Sequence, residues 1–280
     1  MAMNSPEWHE PRSLDEVLSL RAEYGDEATI IAGGSFLGII MNQRFFSPTM
    51  LVALRSVPDL HYIEADDSVL RLGAMTTHRA VERSEVVKDG WPTLAFNFSV
   101  VASPRVRNQA TVGGVVADAD YASDPPSMLA ALGARVVAWS VRGKERVIPM
   151  EYFVLGHYET ALEDDEIVTE VRVPRSDGRS VYRKFRSRSS EDRPCVSVAA
   201  ARENGGLRVV VGAVAERPQY FPEACALAEG ERLDGELVAE IGHRYAQEIE
   251  PIADSRGSAR YRRRVIAVEV RRALEDLSHD

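Results

Sequence analysis

Two glycine pairs are the feature of this sequence best suited to binding an anion. One lies in residues 32–36, which read AGGSF, and the other in residues 111–115, which read TVGGV. Each pair follows or adjoins an apolar run typical of a β-strand. Glycine permits positive φ and a close approach of a ligand to the main chain, and successive N–H groups in such turns can converge on a phosphate. We interpret the pairs as halves of one anion-binding site, although either pair alone is more often an ordinary tight turn.

The other reactive side chains argue against several kinds of site. Cys195 and Cys225 are the only thiols in the sequence, too few to ligate an iron–sulfur cluster or to build a zinc site unaided. The sequence contains no GxGxxG or GxxxxGK[ST] motif and no arrangement of Ser, His and Asp typical of a hydrolase. Redox chemistry would therefore need an organic cofactor on this chain or a metal on another chain.

The overall composition predicts a globular protein. The chain has 280 residues, 45% of them hydrophobic, enough for one large domain or two to three smaller ones. Its net charge of −9 disfavours bulk binding to nucleic acid or to anionic membranes. The N-terminal residues lack the basic and apolar regions of a signal peptide, and no apolar run approaches the ~20 residues that span a bilayer. We therefore expect a cytoplasmic protein without a membrane span.

Around the first glycine pair, the sequence predicts helix and strand in alternation. A capping box starts the first helix, with the Ser13 hydroxyl accepting from the Glu16 N–H, and Gly25 ends that helix. Residues 28–32 form a short buried strand that leads directly into the glycine pair, and residues 50–54 form a second strand. A helix, a strand and a glycine turn in this order are typical of an α/β unit.

The second glycine pair lies between a predicted strand and a predicted helix. Residues 69–74 form the strand, and a threonine at 76–77 caps the helix after it. Downstream of the pair, Asp124 is a good N-cap, Pro125 suits the first helical position, and Gly133 suits the end of the helix. The region therefore reads as a second α/β subdomain.

Three charged stretches are interpreted as surface. One face of the helix after residue 77, beginning with His78, is most simply solvated. Residues 157–170 contain six acids, which favours a solvated loop. Seven arginines lie between residues 256 and 272 on an amphipathic stretch. Because the chain is acidic overall, we interpret them as a helix face that packs on or pairs with a partner subunit rather than with nucleic acid.

The last hundred residues read as a separate unit. Asn204-Gly205 separates two apolar runs, the strongest short signal for a β-hairpin. In the final helix the apolar side chains at helical spacing are Ile266, Val270, Leu274 and Leu277. A sheet followed by helices indicates an α+β domain. The predicted division of the chain is residues 1–58, residues 59–176 and residues 177–280.

Segments from most of the chain follow one known pattern in order and spacing. They read IAGGS at 31–35, LVALRSVPDL at 51–60, VRNQATVGG at 106–114, ADADYASDPP at 117–126, KFR at 184–186, VSVA at 196–199, RGSARYRRR at 256–264 and RRAL at 271–274. This pattern resembles that of the FAD-binding medium subunit of the molybdenum hydroxylase family, of the carbon monoxide dehydrogenase and xanthine dehydrogenase type.

The resemblance implies a fold, a cofactor and partners. The expected fold is α+β, with two N-terminal α/β FAD-binding subdomains like those of vanillyl-alcohol oxidase (PCMH-like) and a C-terminal antiparallel sheet with helices. The implied role is the electron-transfer subunit of a heterotrimeric molybdenum hydroxylase. Substrate would be oxidised at a large molybdopterin subunit, and electrons would pass through the [2Fe–2S] clusters of a small subunit to non-covalent FAD and then to an external acceptor. The two-cysteine count agrees with this division, and a dimer of heterotrimers is expected.

The resemblance also implies which residues hold the cofactor. Residues 32–36 and 111–115 would hold the FAD diphosphate, with hydroxyl donors at Ser35 and Thr111. No catalytic side chain and no metal ligand is implied on this chain. The full implied set is Ala32, Gly33, Gly34, Ser35, Phe36, Asn108, Thr111, Val112, Gly113, Gly114, Val115, Asp124, Ile167 and Lys184.

Three of these residues have two open roles. Asp124 is a helix cap or contacts the ribose or adenine end of FAD, and one carboxylate can do both. Asn108 either braces the second glycine segment or contacts the cofactor. Lys184 resembles a lysine at the isoalloxazine edge, where a cation would stabilise reduced, anionic flavin; otherwise it is an exposed strand lysine.

The sequence departs from the family pattern in places, and other functions stay open. Relatives often have asparagine or serine at the position of Val115. Many also carry an aromatic residue near the flavin at the position that Arg193 holds here, which leaves the stacking partner of the isoalloxazine open. Tyr121 replaces a frequent proline and can shield or stack on the cofactor. A stand-alone FAD oxidase or reductase of the same fold is the first alternative, and a non-catalytic nucleotide-binding or scaffolding protein is the second.

Overall fold

The computed structural model describes residues 5–278, and its N-terminal part is a small parallel α/β unit. The unit's elements are β1 (Glu7–His9), α1 (Leu14–Tyr24), β2 (Ala28–Ile31), α2 (Leu37–Asn42) and β3 (Met50–Ala53). Strand β3 lies at the centre and pairs in parallel with β1 and with β2. Every residue of β3 is buried, as are Val17 and Leu18 of α1, so this face of the helix covers the sheet.

Local signals start and end helix α1 much as predicted. The Ser13 hydroxyl accepts from the Glu16 N–H at 3.2 Å. The Glu16 carboxylate, however, accepts from the Arg12 N–H at 2.7 Å, one residue before the partner that a capping box specifies. Gly25 follows the helix with a φ of +54°, a conformation that glycine adopts without steric cost.

The middle of the chain forms a five-stranded antiparallel sheet with helices inserted between its strands. The sheet order is β4-β5-β10-β6-β7. The elements are β4 (Ile63–Ala65), β5 (Val69–Gly73), α3 (His78–Arg83), α4 (Glu85–Gly90), α5 (Pro92–Ser99), α6 (Pro104–Arg107), α7 (Val112–Asp118), α8 (Pro125–Ala131), β6 (Arg135–Ser140), β7 (Glu145–Pro149), α9 (Met150–Phe153), β8 (Val154–Gly156), β9 (Glu159–Thr160) and β10 (Glu166–Pro174).

The C-terminal part is a four-stranded antiparallel sheet followed by helices. Its elements are β11 (Arg179–Phe185), β12 (Val196–Glu203), β13 (Gly206–Gly212), β14 (Gln219–Tyr220), α10 (Pro222–Ala226), α11 (Gly235–Glu248) and α12 (Ala259–Ser278). Asn204 and Gly205 have φ of +50° and +82°, as a two-residue type I′ hairpin turn requires. The predicted hairpin is therefore confirmed. Ile266, Val270, Leu274 and Leu277 of α12 are all buried, which confirms the predicted apolar stripe, and the α+β class is confirmed as well.

Three apolar cores hold these parts together. The first lies under β2 and β3 and includes Met75 and Ile167 from the middle of the chain. The second fills the space between the five-stranded sheet and its helices and includes Tyr182 and Val210 from the C-terminal sheet. The third lies between the C-terminal sheet and the two helices α11 and α12. Because side chains from different parts share each of the first two cores, the parts pack as one body; the boundaries near residues 58 and 176 stay predictions.

Several surface assignments were wrong because long-range partners are invisible in a sequence window. His78 is buried, and its Nε2 lies 3.2 Å from the Thr111 carbonyl oxygen. Glu166 and Glu170 belong to β10 rather than to a solvated loop, and both are buried. Arginines bind each of them; Arg71 Nε, for example, donates to the Glu170 carboxylate at 2.7 Å. A buried carboxylate needs such donors because burial without them is costly.

A buried ion cluster joins the C-terminal helix to the middle of the chain. Arg262 is fully buried, and its Nη2 lies 2.5 Å from Asp254 Oδ1. The other carboxylate oxygen of Asp254 accepts from the Tyr121 hydroxyl at 2.7 Å, and Arg256 Nη2 donates to that hydroxyl at 2.9 Å. Arg256 and Arg262, two of the seven arginines predicted to pair with a partner subunit, thus bind inside this chain. Arg271 and Arg272 also form ion pairs within it, with Glu275 and Glu269. Tyr121, where the resemblance implies a proline, has its hydroxyl engaged in this cluster.

Within residues 5–278, no helix is both long enough and apolar enough to cross a membrane.

Candidate functional site

The structure brings the two glycine segments into contact. A Cβ added to Gly33 would lie 1.7 Å from the carbonyl oxygen of Gln109, and one added to Gly114 would lie 3.6 Å from the Cβ of Ala32. Real Cβ atoms do not approach a carbonyl oxygen so closely, so only glycine fits at position 33 without moving the backbone. The strand-to-helix turn of the first segment and the loop before α7 therefore form two sides of one site.

The first segment presents unpaired main-chain donors. Within the described part of the chain, none of the N–H groups of residues 33–37 has a hydrogen-bond acceptor, and the Ser35 side chain makes no hydrogen bond. Gly34 has a φ of +64°, which turns the chain from β2 toward α2. A run of free N–H groups at the start of a helix is a ready-made site for a phosphate or carboxylate. The backbone geometry therefore supports the prediction that the first glycine segment can bind an anion.

The second segment plays a different part from the one its glycines suggest. The N–H groups of residues 112–115 all donate within the chain, to Thr76 O at 2.9 Å, Ala74 O at 2.8 Å, Thr111 Oγ1 at 3.0 Å and Thr111 O at 3.0 Å. A Cβ on Gly113 would lie 2.6 Å from the Ala74 Cβ. The glycine is needed for close packing, and the expectation that both pairs supply amides to an anion was wrong for this pair. Direct contact of this segment with a cofactor stays a prediction.

Three further predicted residues, Asn108, Ile167 and Phe36, lie within or next to these segments or in the core beneath the first one. Asn108 is exposed beside Gln109 at the end of α6, and its amide is available to a ligand. Ile167 is buried in the first core, which also contains Ala32, so it supports the first segment from beneath. Phe36, the residue before α2, packs its ring 5.5 Å from that of Tyr158.

Asp124 and Lys184 form a buried pair. Asp124 precedes α8 but makes no side-chain cap, so its predicted capping role was wrong. Instead its Oδ1 accepts from the Tyr182 hydroxyl at 2.6 Å and its Oδ2 from Lys184 Nζ at 2.8 Å. Lys184 Nζ also donates to the Val100 carbonyl oxygen at 2.9 Å, which leaves one of its three donors unused. Contact of either residue with a cofactor stays a prediction.

The charges of this pair balance each other. Burial raises the pKa of Asp124 and lowers the pKa of Lys184, and the attraction between the two groups opposes both shifts. An ion pair adds no net charge, so Lys184 acts here as a hydrogen-bond donor. A further positive charge comes from Arg186, two residues further along, whose Nε is buried without a hydrogen-bond partner among the described residues.

A cluster of acidic and aromatic side chains beside the first segment was missed at the sequence level. Asp120 has a fully buried side chain and pairs with Arg193. Asp118, two residues earlier, is separated from it by Ala119, which has a φ of +47°. The Ala119 carbonyl oxygen accepts from the N–H of Tyr158 at 3.1 Å, and Tyr158 also has a positive φ, +62°. Such strained backbone is typical of binding sites, and the two closely spaced acids after Gly114 were the available signal.

Asp118 should make stability depend on pH. Burial, with a smaller contribution from Asp120, raises the pKa of Asp118 from 3.8 to about 7. The folded chain therefore binds this proton more tightly than the unfolded chain does, and the free energy of unfolding falls as pH rises from about 4 to 7. We expect Asp118→Asn to remove that loss, of up to about 4 kcal/mol, making the variant the more stable protein at pH 8.

Urea unfolding at pH 5 and pH 8 measures this effect. Asp177→Asn is the control, because Asp177 is exposed. Equal pH dependence in the wild-type chain and in Asp118→Asn would contradict the assignment.

Comparisons with known proteins agree with this geometry. Residues 2–176 match the family described as "FAD binding domain in molybdopterin dehydrogenase", and residues 180–277 match "CO dehydrogenase flavoprotein C-terminal domain". The chain is 32% identical to the 6-hydroxypseudooxynicotine dehydrogenase complex subunit alpha of Paenarthrobacter nicotinovorans, over 95% of this chain and 92% of that protein. It is 30% identical to the glyceraldehyde dehydrogenase medium chain of Sulfolobus acidocaldarius, over 95% and 96% of the two chains.

A solved structure resembles the whole chain. The carbon monoxide dehydrogenase of Hydrogenophaga pseudoflava contains a chain that superposes with a TM-score of 0.94 at 30% identity, covering 99% of this chain and 98% of that one. Both the sequence matches and the fold thus extend over the FAD-binding part and the C-terminal part together. The chain therefore belongs to the FAD-binding medium subunits of the molybdenum hydroxylase family.

Proposed function

We propose that the free amides of residues 33–37, with the Ser35 hydroxyl, bind the diphosphate of FAD in an electron-transfer subunit of a molybdenum hydroxylase. The observation that carries this proposal is the run of unpaired N–H groups against the second glycine segment. A diphosphate is the anionic part of FAD, and several main-chain donors at a helix start match its charge. The residues present therefore fit the cofactor that the family implies.

The other parts of the site have supporting roles in this proposal. Residues 111–115 form the wall against which the first segment packs, and Thr111 keeps its hydroxyl proton available to a ligand. Lys184 has an almost completely buried side chain with one N–H donor still unused. Arg186 adds positive charge. When bound, FAD accepts electrons and hands them on singly or in pairs. This chain positions the cofactor, shields it from water and tunes its surroundings, and the substrate chemistry takes place elsewhere.

The assembly follows from the same assignment. Relatives are named as medium chains or complex subunits of dehydrogenases, and no group of three or more metal-ligating side chains lies within residues 5–278. We place the [2Fe–2S] clusters on a small subunit and the molybdopterin on a large one. We further propose a dimer of heterotrimers located in the cytoplasm. The substrate is chosen by the large subunit.

Purifying the chain alone and with its partner subunits tests the proposal. The isolated chain is expected to bind one FAD non-covalently and to oxidise no small substrate. In the complex, substrate should reduce the flavin only when the molybdenum subunit is present, and acceptor assays with NAD⁺, oxygen and a quinone then identify the electron acceptor. Failure to bind FAD would reject the proposal, whereas substrate turnover by the isolated chain would favour a stand-alone oxidase or reductase.

A further inference from the structure

Arg193 connects three separate parts of the chain at the edge of the proposed FAD site. It lies between β11 and β12 in the C-terminal part, and its Nη1 donates to Asp120 Oδ2. Its guanidinium carbon lies 5.6 Å from the centre of the Phe36 ring. Asp120 follows the second glycine segment and Phe36 belongs to the first. One side chain therefore contacts both sides of the site; we call these two contacts the Arg193 bridge.

Each end of the Arg193 bridge is held by further contacts. The second carboxylate oxygen of Asp120 accepts from the Ala122 N–H at 2.9 Å, so the carboxylate is held in place. On its other side, the Phe36 ring packs against Tyr158, whose ring stacks at 3.9 Å on that of His157. The side chain of Asp120 is 0% exposed and that of Arg193 is 46% exposed. The bridge is thus anchored to buried groups but can be reached from solvent.

We infer that the Arg193 bridge holds the first glycine segment in its FAD-binding conformation and so slows the dissociation of FAD. The inference rests on the proposed function. Phe36 lies at the end of the segment whose free amides face no protein acceptor. Without a ligand, the N–H groups of this segment contribute no hydrogen bonds that would fix its conformation, and ordering a segment on binding lowers affinity. A cation stacked on Phe36 and paired with Asp120 orders the segment before the ligand arrives.

Arg193→Gln in the 280-residue chain is the direct test. We expect the dissociation constant for FAD to rise at least about tenfold, as the loss of a charge-assisted hydrogen bond and a cation–π contact would produce, mainly through faster dissociation. Flavin fluorescence measures both quantities. The dissociation constant of Arg193→Lys should lie between those of the wild-type chain and of Arg193→Gln. An ammonium keeps the positive charge but lacks the planar group that stacks on Phe36.

A matched control lies in the same loop. Arg188 has a 64% exposed side chain and lies 3.7 Å from Asp192, so Arg188→Gln should change the dissociation constant less than twofold. Hydrogen exchange of the flavin-free chain separates a local loss of order in the first segment from a change in global stability. Amides 33–37 should exchange faster in Arg193→Gln than in Arg188→Gln, with the core strands unchanged.

A double-mutant cycle separates the bridge from a direct effect on the cofactor. Asp120→Asn alone should weaken FAD binding about as much as Arg193→Gln, and the double variant should be no worse than either. Additive losses would mean that Arg193 acts on FAD itself and would overturn the inference. Unchanged affinity and exchange in Arg193→Gln would also overturn it while leaving the FAD site intact. A wild-type chain that binds no FAD would instead reject the proposed function.

Discussion

Gly33→Ala is expected to weaken FAD binding at least about 100-fold, equivalent to about 2.8 kcal/mol. The added Cβ would meet the carbonyl oxygen and carbon of Gln109 at 1.7 and 2.6 Å. Both atoms belong to the backbone, so no side-chain rotation relieves the clash, and the two glycine segments must move apart. The free amides of the first segment then lose their position relative to the second. Titration of the flavin-free chain with FAD measures the loss.

Gly38→Ala provides the control for this substitution. Gly38 lies five residues further on in α2, and a Cβ there meets nothing within 4 Å. Alanine in a helix is favoured over glycine by about 1 kcal/mol, so this variant should bind FAD as the wild-type chain does and unfold at a slightly higher temperature. A Gly33→Ala chain that retains wild-type affinity would show that the contact with Gln109 does not determine the site.

Asp254→Ala should lower the free energy of unfolding by about 3–5 kcal/mol. The substitution leaves Arg262 fully buried with only the Ala213 carbonyl oxygen as an acceptor, and it removes the acceptor of the Tyr121 hydroxyl. An unpaired buried charge is among the costliest defects in a protein. At this size the melting temperature should fall by roughly 10 °C. The control is Glu240→Ala, since Glu240 and Arg244 are half exposed and such pairs contribute little.

The lowered pKa of Asp254 predicts that the stability of the chain falls in acid. Burial alone would raise the pKa of Asp254, but hydrogen bonds from Tyr121, the Arg256 N–H and Arg262 lower it to about 2 from 3.8. Its contribution is therefore complete above about pH 4 and is lost as pH falls from 4 through 2. In acid titrations, wild-type stability should fall toward that of Asp254→Ala across this window. A constant difference between the two proteins would contradict the prediction.

Features controlled by neighbouring residues could be predicted from the sequence. Ser13, Gly25 and the Asn204-Gly205 turn act through dihedral preference or through hydrogen bonds three residues away. The apolar stripe of α12 likewise follows from the period of the helix. The family pattern then supplied the arrangement of the whole chain, which local signals cannot specify.

Features controlled by distant partners could not be predicted. Asp124 has the right residue type and position for a helix cap, yet its carboxylate is bound by Tyr182 and Lys184, about 60 residues away. The second glycine pair suggested donors for an anion. The Gly113 amide instead donates to Ala74 O in the turn after β5, where the Ala74 side chain leaves no room for a Cβ on Gly113, and the Gly114 amide donates to Thr111 Oγ1. In both cases a tertiary contact outweighs a local preference, and no window of sequence contains both partners.

The contact between Gly33 and Gln109 also sets an order of events during translation. The two residues are 76 positions apart, so the first glycine segment emerges from the ribosome well before the loop against which it packs. At the usual rate of synthesis this interval is about 4–15 s. Through that time the nascent first segment lacks the wall against which it packs in the folded chain. If this segment binds the diphosphate as proposed, flavin loading follows synthesis of the second segment.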